Sequence, residues 1–279
     1  MALTNIKDLM QFAKNNHYAI PAFNVDNLES VMAVTEVIKQ TKTPVIIQTI
    51  PRTLDYGGIA TYPAMINSLM QNSKVDYAIH LDHGNSYELA NSCLQNGFTS
   101  VMYDGSLLSF EDNIANTLKV VILGHSLGAP VEGELGTIGG KEQNTENSQV
   151  IYTKVSEAIE FVERTKVDAL AIGVGTAHGI YKGTPKINTQ RIKEINDAIP
   201  TLLVLHGASG LSDETIKDCI KCGITKINFA TELRQAYTNG IRNALLNDKD
   251  VFDPKLYMPQ AIENISNVII SKIKLCFPL

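Results

Sequence analysis

YAIHLDH, residues 77–83, is a largely apolar run that ends in an aspartate and a histidine. Its residues do not alternate cleanly between apolar and polar, as they would in a strand with one wet face. The run therefore reads as a strand covered on both faces, which is the habit of parallel sheets. Seven more runs are built alike: AIPAFN (19–24), PVIIQT (44–49), TSVMYDG (99–105), APVEGEL (129–135), ALAIGVG (169–175), TLLVLHG (201–207) and TKINFAT (225–231). Most are followed by amphipathic, helix-forming sequence, as in Leu28–Gln40, Tyr87–Asn96, Tyr152–Thr165 and Asp213–Lys221. Eight strand and helix units predict the α/β class and a (β/α)8 TIM barrel, with a doubly wound open sheet as the runner-up. Residues 1–279 are expected to form a single domain, and the residues after Pro254 a C-terminal helical appendage.

Composition agrees with that size of unit. The chain has 279 residues, and α/β barrels commonly reach ~250 residues in one piece. Hydrophobic residues at 44% against 19% charged exclude a disordered chain. A net charge of −5 leaves no basic footprint for nucleic acid or an anionic membrane, so neither is expected as a partner. No apolar run is long enough to span a membrane, and MALTNIKDLMQFAK lacks a basic stretch followed by an apolar core, so a cytoplasmic location is expected. Cys219 and Cys222 make a CxxC, but it lies in DETIKDCIKCG, the last turns of a helix ending at Gly223, and no second CxxC accompanies it. Ordinary reduced cysteines are expected.

In such a barrel the catalytic groups stand at the C-terminal ends of strands, where the loops converge. Here those positions hold the unusual residues. Asp82 and His83 end the third run, Asp104 the fourth and Glu134 the fifth; His178 follows the sixth, His206 ends the seventh, and Asn228 lies in the eighth. His83, His178 and His206 are far apart in sequence, so only the tertiary fold can gather them. Three imidazoles with one open position suit a catalytic zinc. His17, His80 and His125 are assigned structural roles, Asp104 in YDGS has a plain turn as its alternative, and Glu132 and Glu134 in VEGEL are expected to face opposite ways. Gly207-Ala208-Ser209, the glycines of GVGTAHG and the segment Asn228-Phe229-Ala230-Thr231 leading into a helix offer backbone N–H groups for a phosphate.

The motifs PAFN (21–24), HLDHG (80–84), DGS (104–106), VEGELGTIGGKE (131–142), GTAHG (175–179), LHGAS (205–209) and NFATEL (228–233) resemble, in order, those of the class II, zinc-dependent ketose-bisphosphate aldolases, the fructose- and tagatose-bisphosphate enzymes. The resemblance runs from about residue 5 to 270. It implies reversible cleavage of a ketose 1,6-bisphosphate to dihydroxyacetone phosphate and glyceraldehyde 3-phosphate. It further implies zinc on His83, His178 and His206, Asp82 as proton carrier at the aldehyde-derived hydroxyl, and a second, displaced divalent metal on Asp104 and Glu134. Glu142 matches a loop carboxylate that moves the proton at the dihydroxyacetone carbon, and residues 136–150, polar and unpatterned, read as a mobile lid. Asn24, Gln48, Gly179, Gly207, Ala208, Ser209, Asn228, Phe229, Ala230 and Thr231 match the substrate site, with a monovalent cation, sodium or potassium, near Gly179, Gly207 and Ser209. A homodimer or homotetramer is the expected assembly.

Some positions leave the sugar open. Gln48 resembles the fructose-cleaving type and Ala230 the tagatose-cleaving type. Ile50 stands where many members carry a small polar residue on a phosphate, which leaves Thr49 or Arg52 as substitutes, and KIKLCFPL has no arginine for the second phosphate. A related phosphorylated ketose is therefore an alternative substrate. Two other readings are a Schiff-base aldolase using Lys226 and a non-catalytic sugar-phosphate-binding accessory barrel.

Overall fold

Every one of the eight apolar runs forms a barrel strand in the computed structural model, which describes residues 3–140, 152–181 and 183–277. In chain order the strands are β1 (Leu3–Thr4), β2 (Ile20–Asn24), β3 (Val45–Thr49), β4 (Tyr77–Gly84), β5 (Ser100–Tyr103), β6 (Val131–Leu135), β7 (Gly139–Gly140), β8 (Ala169–Ile172), β9 (Ala177–His178), β10 (Leu202–Leu205) and β11 (Ile224–Phe229). All pairings are parallel. They run β2-β3-β4-β5-β6-β8-β10-β11, and β11 pairs back on β2, which closes a TIM barrel. β1 adds to the β4 edge, and β7 pairs with β9 outside the barrel.

Alternation along each strand sorts the side chains into two cores. Outward residues such as Phe23, Ile47, Leu81, Val101, Leu170, Leu203 and Ile227 pack under the helices. Inward residues form a separate, smaller cluster in which Ala22, Ala78, Ala169 and Ala171 leave room for Ile46, Met102, Leu202 and Val204. The helix Ile6–Asn15, capped by the Asn5 side chain, inserts Ile6, Leu9, Met10 and Ala13 into that inner cluster and closes one end of it. The polar residues fill the other end.

Helices follow most strands at Leu28–Thr41, Tyr87–Gln95, Val155–Thr165 and Asp213–Lys221, each within a few residues of its expected span. The C-terminal helical segment is present as Pro254–Cys276 and joins the outer layer through Ile265, Ile269 and Ile273. It lies so close to the helix Thr231–Asn247 that a Cβ on Gly240 would come within 2.6 Å of the Ala261 backbone. Among the described residues no helix is long and apolar enough to cross a membrane.

The four cysteines are free, and burial pushes the thiols of Cys93, Cys219 and Cys276 up to about 12. Only Cys222 is partly exposed. A disulfide-exchange reagent is therefore expected to label about one thiol in the native protein and all four after denaturation. Rapid native labelling of Cys219 would contradict this packing.

Candidate active site

Asp82 and His83 are neighbours, and a regular strand would send them to opposite faces. Asp82 faces inward by alternation. His83 joins it because β4 breaks register between Leu81 and Gly84 and His83 takes a left-handed φ of 51°. Gly84 makes the bend possible, since a Cβ there would stand 2.3 Å from the Met102 carbonyl oxygen. Local backbone strain thus places an acid and an imidazole side by side, which the alternation rule alone does not predict.

The three histidines converge. The His83 ring lies 4.7 Å from that of His206 and 4.9 Å from that of His178, centroid to centroid. One ring nitrogen from each of the three lies within 4.8 Å of the others, and His83 Nε2 is 3.1 Å from His206 Nδ1. Two nitrogens bound to one tetrahedral zinc at ~2.0–2.1 Å stand roughly 3.3 Å apart, so the pair is already spaced for a shared ion. His178 comes from β9, where it pairs with Gly140. His83 Nδ1 meets Asp104 Oδ2 at 2.8 Å, and Glu134 Oε2 lies 3.8 Å from the same nitrogen. His83, Asp104 and Glu134 also form a compact donor group, which is where a second metal was expected.

Charge supports the same fit. Burial opposes a proton on His83, yet Asp82, then Asp104 and Glu134, outweigh burial and push its imidazole well above the usual histidine range. Burial and the positive charge of His83 hold His206 well below that range. The carboxylates thus demand a cation where the imidazoles meet. A divalent metal bound by neutral imidazoles answers that demand, and the donor set fits zinc.

Asp82 is almost fully buried, and both its oxygens are engaged. Asn24 Nδ2 donates to Oδ2 at 2.8 Å and Asn228 Nδ2 to Oδ1 at 3.0 Å. Burial would raise its pKa, but His83, His206 and Lys226 together with the Asn24 hydrogen bond hold it at about 2. The pocket beside it is lined by Asn24, Asp82, His178, Asn228 and a glycine-rich rim of Gly179, Gly207 and Ser209. Gly207 has a φ of 66°, and a Cβ there would approach the Ala177 backbone to within 2.8 Å. Ala230 and Thr231 complete the rim at the start of the helix Thr231–Asn247, whose first turn has no side-chain cap and keeps its N–H groups available to an anion.

Several expectations need correction. Glu132 and Glu134 share a face, because residues two apart on a strand point the same way; both are fully buried inside the barrel. Gln48 does not line the pocket; its Nε2 donates to Asn24 Oδ1 at 2.9 Å from behind. Ala208 and Phe229 need no correction: their side chains pack in the outer core, and the expectation for both segments concerned backbone N–H groups. Thr49 is buried on strand β3 next to inward Gln48, so it faces the helical layer and cannot reach a phosphate at the mouth. Glu142 and the greater part of the expected lid, 141–150, lie outside the described residues.

Two further residues brace the site from outside the pocket lining. Tyr181 accepts from Ala177 N at 2.9 Å and donates to the Gly207 carbonyl at 2.7 Å, tying the His178 segment to the glycine rim. Nothing in one sequence separates it from a packing tyrosine. His80, assigned a structural role, sits below the site, hydrogen-bonded to Ser100 Oγ at 2.9 Å and 3.5 Å from Glu132.

Comparisons with known proteins point to one family. The sequence profile described as fructose-bisphosphate aldolase class-II matches residues 4–277. The fructose-bisphosphate aldolase of Staphylococcus aureus is 40% identical over 277 residues, covering 98% of this chain and 97% of that one. The probable fructose-bisphosphate aldolase of Bacillus subtilis shows the same identity and coverage. Among solved structures, the YdjI aldolase from Escherichia coli superposes with a TM-score of 0.87 at 37% identity, covering 98% of this chain and 97% of that one.

Proposed function

The chain belongs to the class II fructose-bisphosphate aldolase family, and on that premise we propose that it is a zinc-dependent lyase for a ketose 1,6-bisphosphate, yielding dihydroxyacetone phosphate and glyceraldehyde 3-phosphate. The observation that carries the reading is Asp82, an ionised carboxylate clamped between two amides on the pocket wall, beside three converging imidazoles.

His83, His178 and His206 would hold the zinc, which when bound acts as a Lewis acid toward the substrate oxygens. The protein's own groups do the rest. The glycine rim and the open helix start at Thr231 take the phosphate of the dihydroxyacetone half and set the sugar across the mouth. Asp82 then takes the proton of the carbon-4 hydroxyl as the bond between carbons 3 and 4 breaks, and returns it in the synthetic direction. Asn24 and Asn228 donate to both its oxygens, so the carboxylate stays ionised until that proton arrives. Gln48 holds Asn24 in turn. Glu142 is assigned the proton at the dihydroxyacetone carbon on family resemblance alone. A second divalent metal on Asp104 and Glu134, and a sodium or potassium ion by the glycine rim, complete the reading.

A Schiff-base mechanism is disfavoured by the position of Lys226. Its Nζ is fully buried and bound to Glu132 at 2.8 Å, within the barrel rather than on the pocket wall. The test is cleavage of fructose and tagatose 1,6-bisphosphates side by side, before and after chelation and zinc return. Activity is expected to vanish with chelation, return with zinc, and differ between the two epimers. Activity that survives chelation, with borohydride trapping substrate on Lys226, would refute the zinc reading; inactivity toward every phosphorylated ketose would favour the accessory barrel.

A further inference from the structure

We propose that Glu132 is a positioning residue that fixes the metal-binding face of His206, and that Lys226 holds Glu132 for that purpose; the inference rests on the zinc reading of the site. Glu132 reaches inward from β6, fully buried, and both its oxygens are used. Oε1 lies 2.9 Å from His206 Nε2, and Oε2 is 2.8 Å from Lys226 Nζ. His80 Nε2 stands 3.5 Å from the same Oε2. Strands β6 and β11 and the residue that follows β10 are thereby tied together beneath the imidazole cluster.

The chemistry follows from what each group can do. An ionised carboxylate only accepts, so a neutral His206 must carry its single proton on Nε2 to complete the bond. That leaves a lone pair on Nδ1, and Nδ1 is the atom that lies 3.1 Å from His83 Nε2. Without Glu132 the ring loses its hydrogen-bond partner at Nε2 and its anchor on that side of the cluster. His83 has a matching arrangement on the opposite side of the cluster, with Asp104 at its Nδ1 and its Nε2 turned toward His206. Lys226 then has a clear purpose. Its Nζ, fully buried and 2.8 Å from Glu132 Oε2, supplies the counter-charge that a carboxylate this deep requires. A buried ion pair kept only for stability would be replaceable by apolar residues. This one stands directly behind a metal-binding imidazole.

Long-range nitrogen–proton NMR on zinc-free wild-type protein is expected to show His206 as the Nε2–H tautomer; an Nδ1–H tautomer or a mixture would overturn the proposal. Glu132→Gln is expected to weaken zinc affinity about 10–100-fold, measured on the apoprotein by competition with a chromophoric chelator, and to alter the absorption spectrum of bound cobalt. Because Glu132→Gln strands the Lys226 charge, the paired variant Glu132→Gln with Lys226→Met is measured beside it. The pair is expected to recover thermal stability but not zinc affinity. Wild-type zinc affinity in either variant means that Glu132 is purely structural and defeats the proposal alone. Failure of the wild-type protein to bind zinc defeats it together with the functional reading beneath it.

Discussion

Asp82→Ala is expected to retain zinc while losing about 10²–10⁴-fold in turnover. Asp82 is 2% exposed on the pocket wall, and its nearer oxygen lies 4.0 Å from His83 Nε2, so it stands beside the imidazole cluster without being one of its three members. Its removal deletes the proton carrier but leaves all three imidazoles in place. The effect belongs to kcat, because the phosphate is held elsewhere, at the glycine rim and the helix start. Truncation also leaves the amides of Asn24 and Asn228 without their acceptor, a cost of about 1–3 kcal/mol that lowers the melting temperature modestly. Linkage adds a pH signature to the wild-type protein. The Asp82 pKa is depressed to about 2, so its stabilising share is present above the unfolded value near ~3.9 and is lost as pH falls through about 2. Steady-state kinetics, metal content and thermal melts on one preparation check the prediction; unchanged turnover, or zinc lost along with turnover, would sink it.

The barrel was legible in the sequence because parallel strands buried on both faces need near-continuous apolar runs, and all eight runs became strands. The gathering of His83, His178 and His206 was legible only in part: strand ends share one rim, but His178 reaches it from β9, outside the barrel. Side-chain direction was not legible to the same depth. Alternation and loop geometry turn the Gln48 side chain behind the pocket and place those of Ala208 and Phe229 in the outer core. His83 reaches the mouth only through a left-handed residue and a register break, both of which depend on neighbours across the sheet. Glu132 was misplaced for a simpler reason: residues two apart share a face, so it had to enter the barrel with Glu134. Its partner Lys226 lies on β11 and its imidazole partner follows β10, contacts that only barrel closure creates. The helix Ile6–Asn15 shows apolar residues at helical spacing, but that it plugs the inner cluster is a tertiary fact.

His206→Ala is expected to abolish tight zinc binding, and turnover with it. The imidazole is fully buried, and its Nδ1 is the nitrogen that faces His83, so truncation leaves two imidazoles where the site was built for three. Two histidines and a rim of carboxylates can still attract a divalent ion, but loosely, because the geometry for a tetrahedral site is gone. The fold should survive. Glu132 loses one partner but keeps Lys226 at 2.8 Å, so no buried charge is left unpaired. Thermal melting with and without zinc separates this outcome from simple unfolding. Zinc at about 100 times its dissociation constant adds about 2.7 kcal/mol to the wild-type fold, a rise of about 5 °C for a chain of this size. The variant is expected to melt cooperatively at the same temperature in both conditions. A zinc-dependent rise as large as that of the wild type would show that the ion is held elsewhere, and would remove His206 from the site. Set beside Asp82→Ala, the comparison divides the cluster by function: one variant keeps the metal and loses the proton carrier, and the other keeps Asp82 and loses the metal.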